Sequence, residues 1–77
     1  MTTKYITKHA TELAELHKLP IVFIEHMPAI FKFVVITKYN NTSDIDGYTN
    51  IIHAKKQYEK LNKTYTCELC INAKHTK

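Results

Sequence analysis

The chain contains no arginine and a single glycine, and each shortage removes a class of chemistry. The planar guanidinium of arginine is the usual forked donor for phosphate, carboxylate and the guanine edge. A chain whose 11 basic side chains are all lysine can attract polyanions, but it lacks the preferred tool for reading base sequence. With one glycine there is no glycine-rich loop to cradle a phosphate or a dinucleotide. Two cysteines are too few to staple a secreted mini-domain, which fits a reducing compartment. Apolar runs are short. The longest, at 21–24 and 33–36, are bounded by Glu25, His26 and Lys32, and fall far below the length of a membrane span. The N-terminal stretch is polar and carries no apolar core of the secretory kind. A cytoplasmic protein with no membrane association is expected.

What is present describes a small folded object. The 77 residues, 44% of them hydrophobic, are read as a single domain, 1–77. A chain of this length buries only roughly 60% of its unfolded surface, so a stability on the order of 5 kcal/mol is expected. The net charge of +4 favours an acidic partner, whether nucleic acid, an anionic surface or an acidic patch on another protein. Solubility alone explains the same charge. The bias toward lysine, isoleucine, asparagine, tyrosine and threonine is what translation of an AT-rich gene produces, as in many bacteriophages and low-GC bacteria.

Periodicity predicts five elements. A helix is expected from Thr3 to Lys18, with Ile6, Ala10, Leu13 and His17 on its stripe, Thr3 or Thr7 as its cap and Pro20 as its stop. Ile21 to Glu25, apolar on both faces, reads as a buried strand. Phe31 to Tyr39 reads as the next. Phe31, Phe33, Val35 and Tyr39 point one way, and Lys32, Val34, Ile36 and Lys38 the other. The short connection predicts an antiparallel hairpin. Asn40 to Gly47 reads as a loop with an Asp-Gly turn. Tyr48 to Lys63 is the second helix, with Ile51, Ala54, Tyr58 and Leu61 inward. Tyr65 to Ile71 is the last strand, with Cys67 inward and Cys70 outward, and a loose tail follows. The expected fold class is α+β: a small αββαβ domain with a three-stranded antiparallel sheet, order 2-1-3, and two helices.

Three motifs invite chemistry. Cys67, Cys70 and His75 supply C-x2-C-x4-H, most of a zinc-knuckle spacing. The site is incomplete unless a distant histidine such as His53 joins it as the fourth ligand, and on a strand the two thiols point to opposite faces. Asp44, Asp46 and Gly47 resemble part of an EF-hand loop counted from Thr42. Thr42 stands in the first ligand position, and His53 stands where a bidentate glutamate is needed. Carboxylates before a helix also serve its positive end. Residues 11–25 resemble a helix-turn-helix faintly, but Lys18 replaces the turn glycine, and the second helix would begin Pro20-Ile21-Val22-Phe23 with no donors for base edges. No metal, no cofactor and no catalytic residue is expected, and His9, His17, His26, His53 and His75 are read as surface or packing residues.

The candidate partner-binding residues are charged and aromatic: Lys55, Lys56, Lys60 and Lys63 on the second helix, Lys32, Lys38 and Tyr39 on the hairpin, and Asp44 and Asp46 in the loop. Contact with nucleic acid through lysines alone would go to phosphate and be non-specific. Val22, Ile24, Val34 and Ile36 line up on the second sheet face. They form a partner or homodimer patch if both helices cover the other face, and ordinary core if the first helix covers this one. In size, charge and composition the chain resembles the small inhibitors that mobile elements deploy, of the anti-CRISPR and anti-restriction type. The resemblance implies a non-enzymatic protein that occupies the surface of a nuclease or defence complex. A non-specific nucleic-acid-binding regulator is the alternative.

Overall fold

The computed structural model describes residues 6–75. It is an α+β fold with two helices and a four-stranded mixed sheet. In chain order the elements are α1 (Lys8–His17), β1 (Ile21–Val22), β2 (Phe33–Lys38), β3 (Ser43–Tyr48), α2 (Ile51–Asn62) and β4 (Thr66–Asn72). The sheet order is β1-β4-β2-β3.

Both helices start at a polar cap. The Thr7 hydroxyl accepts from the Ala10 amide at 3.1 Å, and the Asn50 side chain accepts from the Ile52 amide at 2.7 Å. The cap of α2 is thus Asn50, and neither Asp44 nor Asp46 serves it. Thr3, the other expected cap of α1, lies outside the described residues. Lys18 closes α1 in the left-handed region, φ 56°, where its amide reaches the Ala14 carbonyl. Pro20 and β1 follow, so no second helix completes a helix-turn-helix.

One face of the sheet packs against both helices. Phe33, Val35, Leu69 and Ile71 meet Ala10 and Ala54, with Leu13, Ile21, Tyr48, Ile51 and Tyr58 around them. His17 packs edge-on to Phe33, ring centroids 5.3 Å apart. Complete burial of side chains such as Phe33 and Ile71 contributes about 1.5–3 kcal/mol each. Ile6 precedes the helix and is exposed.

Three expectations about the sheet are corrected. β1 does not pair with β2. It is a two-residue edge running parallel to β4, with Ile21 beside Ile71. The Pro20 and Val22 carbonyls accept from the Ile71 and Ala73 amides at 2.8 and 2.9 Å. The apolar run continues past Val22, yet Phe23 and Ile24 leave the sheet. Next, Ser43–Tyr48 is a strand and not a loop, paired along its length with β2 from Lys38–Ser43 to Phe33–Tyr48. The turn is Asn40-Asn41, where the Tyr39 amide donates to the Thr42 carbonyl at 2.9 Å. Serine and aspartate there reflect an edge strand wet on both faces. Finally, β4 is central, antiparallel to β2 and parallel to β1. α2 carries the chain from β3 to β4 across β2, since two strands of the same direction need a crossover.

The second face of the sheet is covered by neither helix. The 23–32 segment folds over it. Met27 and Phe31 sit where a side chain on Gly47 would project, and Asn72 reaches from the sheet to the Pro28 and Phe31 carbonyls at 3.0 and 2.9 Å. Phe31 therefore lies on the opposite face from Phe33, because it precedes the strand. The Lys74 ammonium bonds the Glu25 carbonyl and stands 5.6 Å from the centre of the Phe23 ring. The His75 ring nitrogen Nδ1 lies 3.0 Å from the Ala29 carbonyl. Residues 72–75 are thus a buried clasp and not a loose tail. Cys70 is buried beneath this cover, so its outward parity does not make it a surface thiol.

Candidate functional site

The buried polar groups are committed to structure. Thr37 accepts from the Cys67 thiol at 3.7 Å, Asn72 and His75 hold the 23–32 segment, and among the described residues no buried side-chain nitrogen or oxygen lacks a partner. Cys67 and Cys70 lie on opposite faces of β4 and cannot grip one ion together. Burial, helped by the nearby Glu68 carboxylate, pushes the Cys70 thiol above its ordinary pKa, which keeps it protonated and unreactive at neutral pH. Functional chemistry therefore has to be sought on the surface, and three regions stand out.

The first is the outer edge of β3, which no strand among the described residues covers. Ser43, Asp44, Ile45 and Asp46 are all exposed. Asp44 and Asp46 stand opposite Thr37 and Val35, on the helix side of the sheet, while Ile45 stands opposite Ile36 on the other side. At the hairpin end, Tyr39 packs edge-on to Tyr65, ring centroids 4.7 Å apart. A hydrogen bond to the Asp44 carboxylate is the main cause that holds the Tyr39 phenol above its ordinary pKa. These rings, with Lys38, Asn40, Thr64 and Thr66, line a shallow depression of about 400 Å³.

The second is the outer face of α2. Lys55, Lys56 and Lys60 are exposed along it and Lys63 caps its end. At 100° per residue the four span an arc of about 140°, with Glu59 among them. Lys38 does not join them. It projects from the opposite face of the sheet and pairs with Glu68 at 3.1 Å, both side chains about half exposed. Such a pair contributes little to stability. Lys32 stands apart again, beside α1.

The third is a groove of about 620 Å³ between α1, the 23–32 segment and His75, lined by His9, Glu12, Leu13, Leu16, Ile30 and Lys32 as well. Leu16 is 73% exposed and Ile30 67%. Sequence reasoning missed this groove, although Leu16 falls beside the buried stripe of α1 and so carried a signal.

The expected apolar patch is mostly covered. Val34 is fully buried, Val22 and Ile24 are half-buried, and Ile24 lies beyond the end of β1 in the covering segment. Ile36 is half-buried and faces Ile45. The lysines, the Asp44–Asp46 edge and this patch are thus dispersed over separate surfaces. Among the described residues no helix is long and apolar enough to cross a membrane. Comparison with known proteins gave no family: no family model matches the chain, and neither does any curated protein or solved structure.

Proposed function

We propose that this chain is a non-enzymatic binding protein that acts by covering a partner's surface, in the manner of the small inhibitors that mobile elements direct at bacterial nucleases and defence complexes. The observation that carries this reading is the separation of charge. Two exposed carboxylates, Asp44 and Asp46, stand on an open sheet edge of a chain whose net charge is +4. The nucleic-acid-binding surface of a nuclease is positive, so an acidic edge complements it at contact and fixes which side of the chain meets it. Tyr39 and Tyr65 beside that edge supply the aromatic contact area that interfaces favour. The test is capture and inhibition. Immobilised chain, exposed to bacterial lysate, should retain a nuclease or defence complex and lower its cleavage stoichiometrically. Retention of no protein, or of one whose cleavage is unchanged, counts against the reading.

The lysine arc of α2 favours a second reading, a non-specific nucleic-acid binder. Its affinity should fall steeply with salt, the logarithmic slope losing about 0.9 for each phosphate contact removed by lysine-to-glutamine substitution. A mobility shift at low and high salt decides it, and no shift at low salt removes it.

A further inference from the structure

We propose that the open edge of β3 receives an extended segment of a partner protein as a fifth strand, one carrying basic residues at alternate positions with apolar residues between. The inference deepens the binding function above and rests on it. β3 is the last strand in the sheet order, and six of its residues pair with β2 on one side only. The Tyr39–Thr42 hydrogen bond sets the phase of that ladder. Counting in twos from it, the backbone groups of Asp44 and Asp46 turn inward to Thr37 and Val35, and those of Ser43, Ile45 and Gly47 turn outward. Among the described residues no backbone bond outside the ladder reaches Ser43, Ile45 or Gly47. The edge is therefore a ready template for main-chain pairing.

Side chains set the chemistry of the occupant. Asp44 and Asp46 share one side of the sheet, so a paired strand meets a carboxylate at every second position there. On the other side it meets Ile45, backed by Ile36. Lysine or arginine at alternate positions, with an aliphatic residue between, satisfies both sides, because opposite charges across a pair of strands attract and like charges repel. The same rule turns away a second copy of this chain. Antiparallel pairing centred on Ile45 would place Asp44 against the Asp46 of the other copy, twice over. The carboxylates thus guard the edge against self-association while leaving it open to a basic strand.

The test is a titration of the full chain, followed by NMR, with a peptide alternating lysine and valine. A peptide alternating glutamate and valine, and a lysine peptide with proline at its centre, serve as controls. The lysine–valine peptide should shift the Ile45 and Gly47 amide signals and slow their hydrogen exchange. The Asp44 and Asp46 amides, already bonded, should keep their exchange rates, and neither control should act. The double substitution Asp44→Lys, Asp46→Lys should weaken the basic peptide by about tenfold or more. Ile45→Pro removes an outward donor from an edge position where proline is tolerated, so the fold should persist while pairing is lost. If that variant unfolds, the charge-reversed one still decides. Absence of binding, binding of both charge types alike, or shifts confined to α2 would overturn the proposal. A wild-type chain that captures and inhibits a nuclease yet ignores the basic peptide keeps the function and loses the edge.

Discussion

The sulfur of Met27 lies 2.6 Å from where a Cβ on Gly47 would stand. The only glycine of the chain is therefore a point of close approach between the sheet and the 23–32 segment, although its φ is not positive. Phe31 carbons lie 2.7 and 2.9 Å from the same point. Gly47→Ala should destabilise by about 1–3 kcal/mol in urea unfolding, since overpacking displaces both side chains. Ile45→Ala, two residues away on the open edge, should stay within about 0.5 kcal/mol. Equal effects would show that the segment does not seat on Gly47.

The two cysteines invert the order that strand parity alone predicts. Cys67→Ser should cost the lesser amount, because the Thr37 oxygen stands 3.7 Å from the thiol and a small side-chain shift brings it within reach of the shorter hydroxyl. Cys70→Ser should cost more, about 1–3 kcal/mol, because it buries a hydroxyl with no partner ready beneath the 23–32 segment. Denaturant midpoints of the two variants check the order. A more harmful Cys67→Ser would refute it.

Asn72 makes two side-chain hydrogen bonds to that segment, where Lys74 and His75 make one each. Its side chain donates to Pro28 and Phe31 and accepts from the Lys74 amide at 3.1 Å, all while fully buried. Asn72→Ala should lose on the order of 2–3 kcal/mol. It should also raise the rate at which a thiol reagent labels Cys70 under native conditions, with Cys67 labelling unchanged. Unchanged Cys70 labelling would mean the cover opens independently of Asn72.

Cys70 also makes stability fall with alkali. Burial raises the folded thiol pKa, so the unfolded thiol ionises first and the unfolded state gains. This stability is fully present below the unfolded value, about pH 8.5, and is lost as pH climbs through the folded one. Melting temperatures from pH 8 to 10 should decline, and Cys70→Ala should flatten the decline. The same slope in both proteins would assign it to other groups, such as Tyr48, whose phenol burial also raises.

Lys18 offers a stabilising change. It is the only non-glycine residue with positive φ among those described, at 56°. A side chain in that conformation costs roughly 1 kcal/mol or more. Lys18→Gly should therefore raise stability by about 0.5–1 kcal/mol, after the added chain entropy of glycine is subtracted. A lower melting temperature would show that Lys18 makes a compensating contact.

Local periodicity carried much of this fold. The stripe Ala10, Leu13, His17 and the stripe Ile51, Ala54, Tyr58 both face the core, and the alternation of Phe33 and Val35 with Val34 and Ile36 is the parity observed. The pairing of strands was not legible, because it depends on contacts distant in sequence. Ile21–Ile24 looks like a central strand by hydrophobicity, yet it divides its apolar residues between a short edge and a cover. Ser43–Asp46 looks like a loop by composition, because a strand wet on both faces needs no apolar alternation. The same wetness hid the site: Asp44 and Asp46 were recognisable as candidates, but their shared side and the outward amide of Ile45 follow only from the register with β2.

The position of β4 has a consequence for how the molecule is assembled. Of the described elements β4 is synthesised last, and it is the one that both β1 and β2 need as a neighbour. A truncated product ending near Thr64 holds a hairpin, two helices and an apolar stretch with nothing to dock on. Partial synthesis should thus yield no native-like body, and maturation should come as one late, cooperative event.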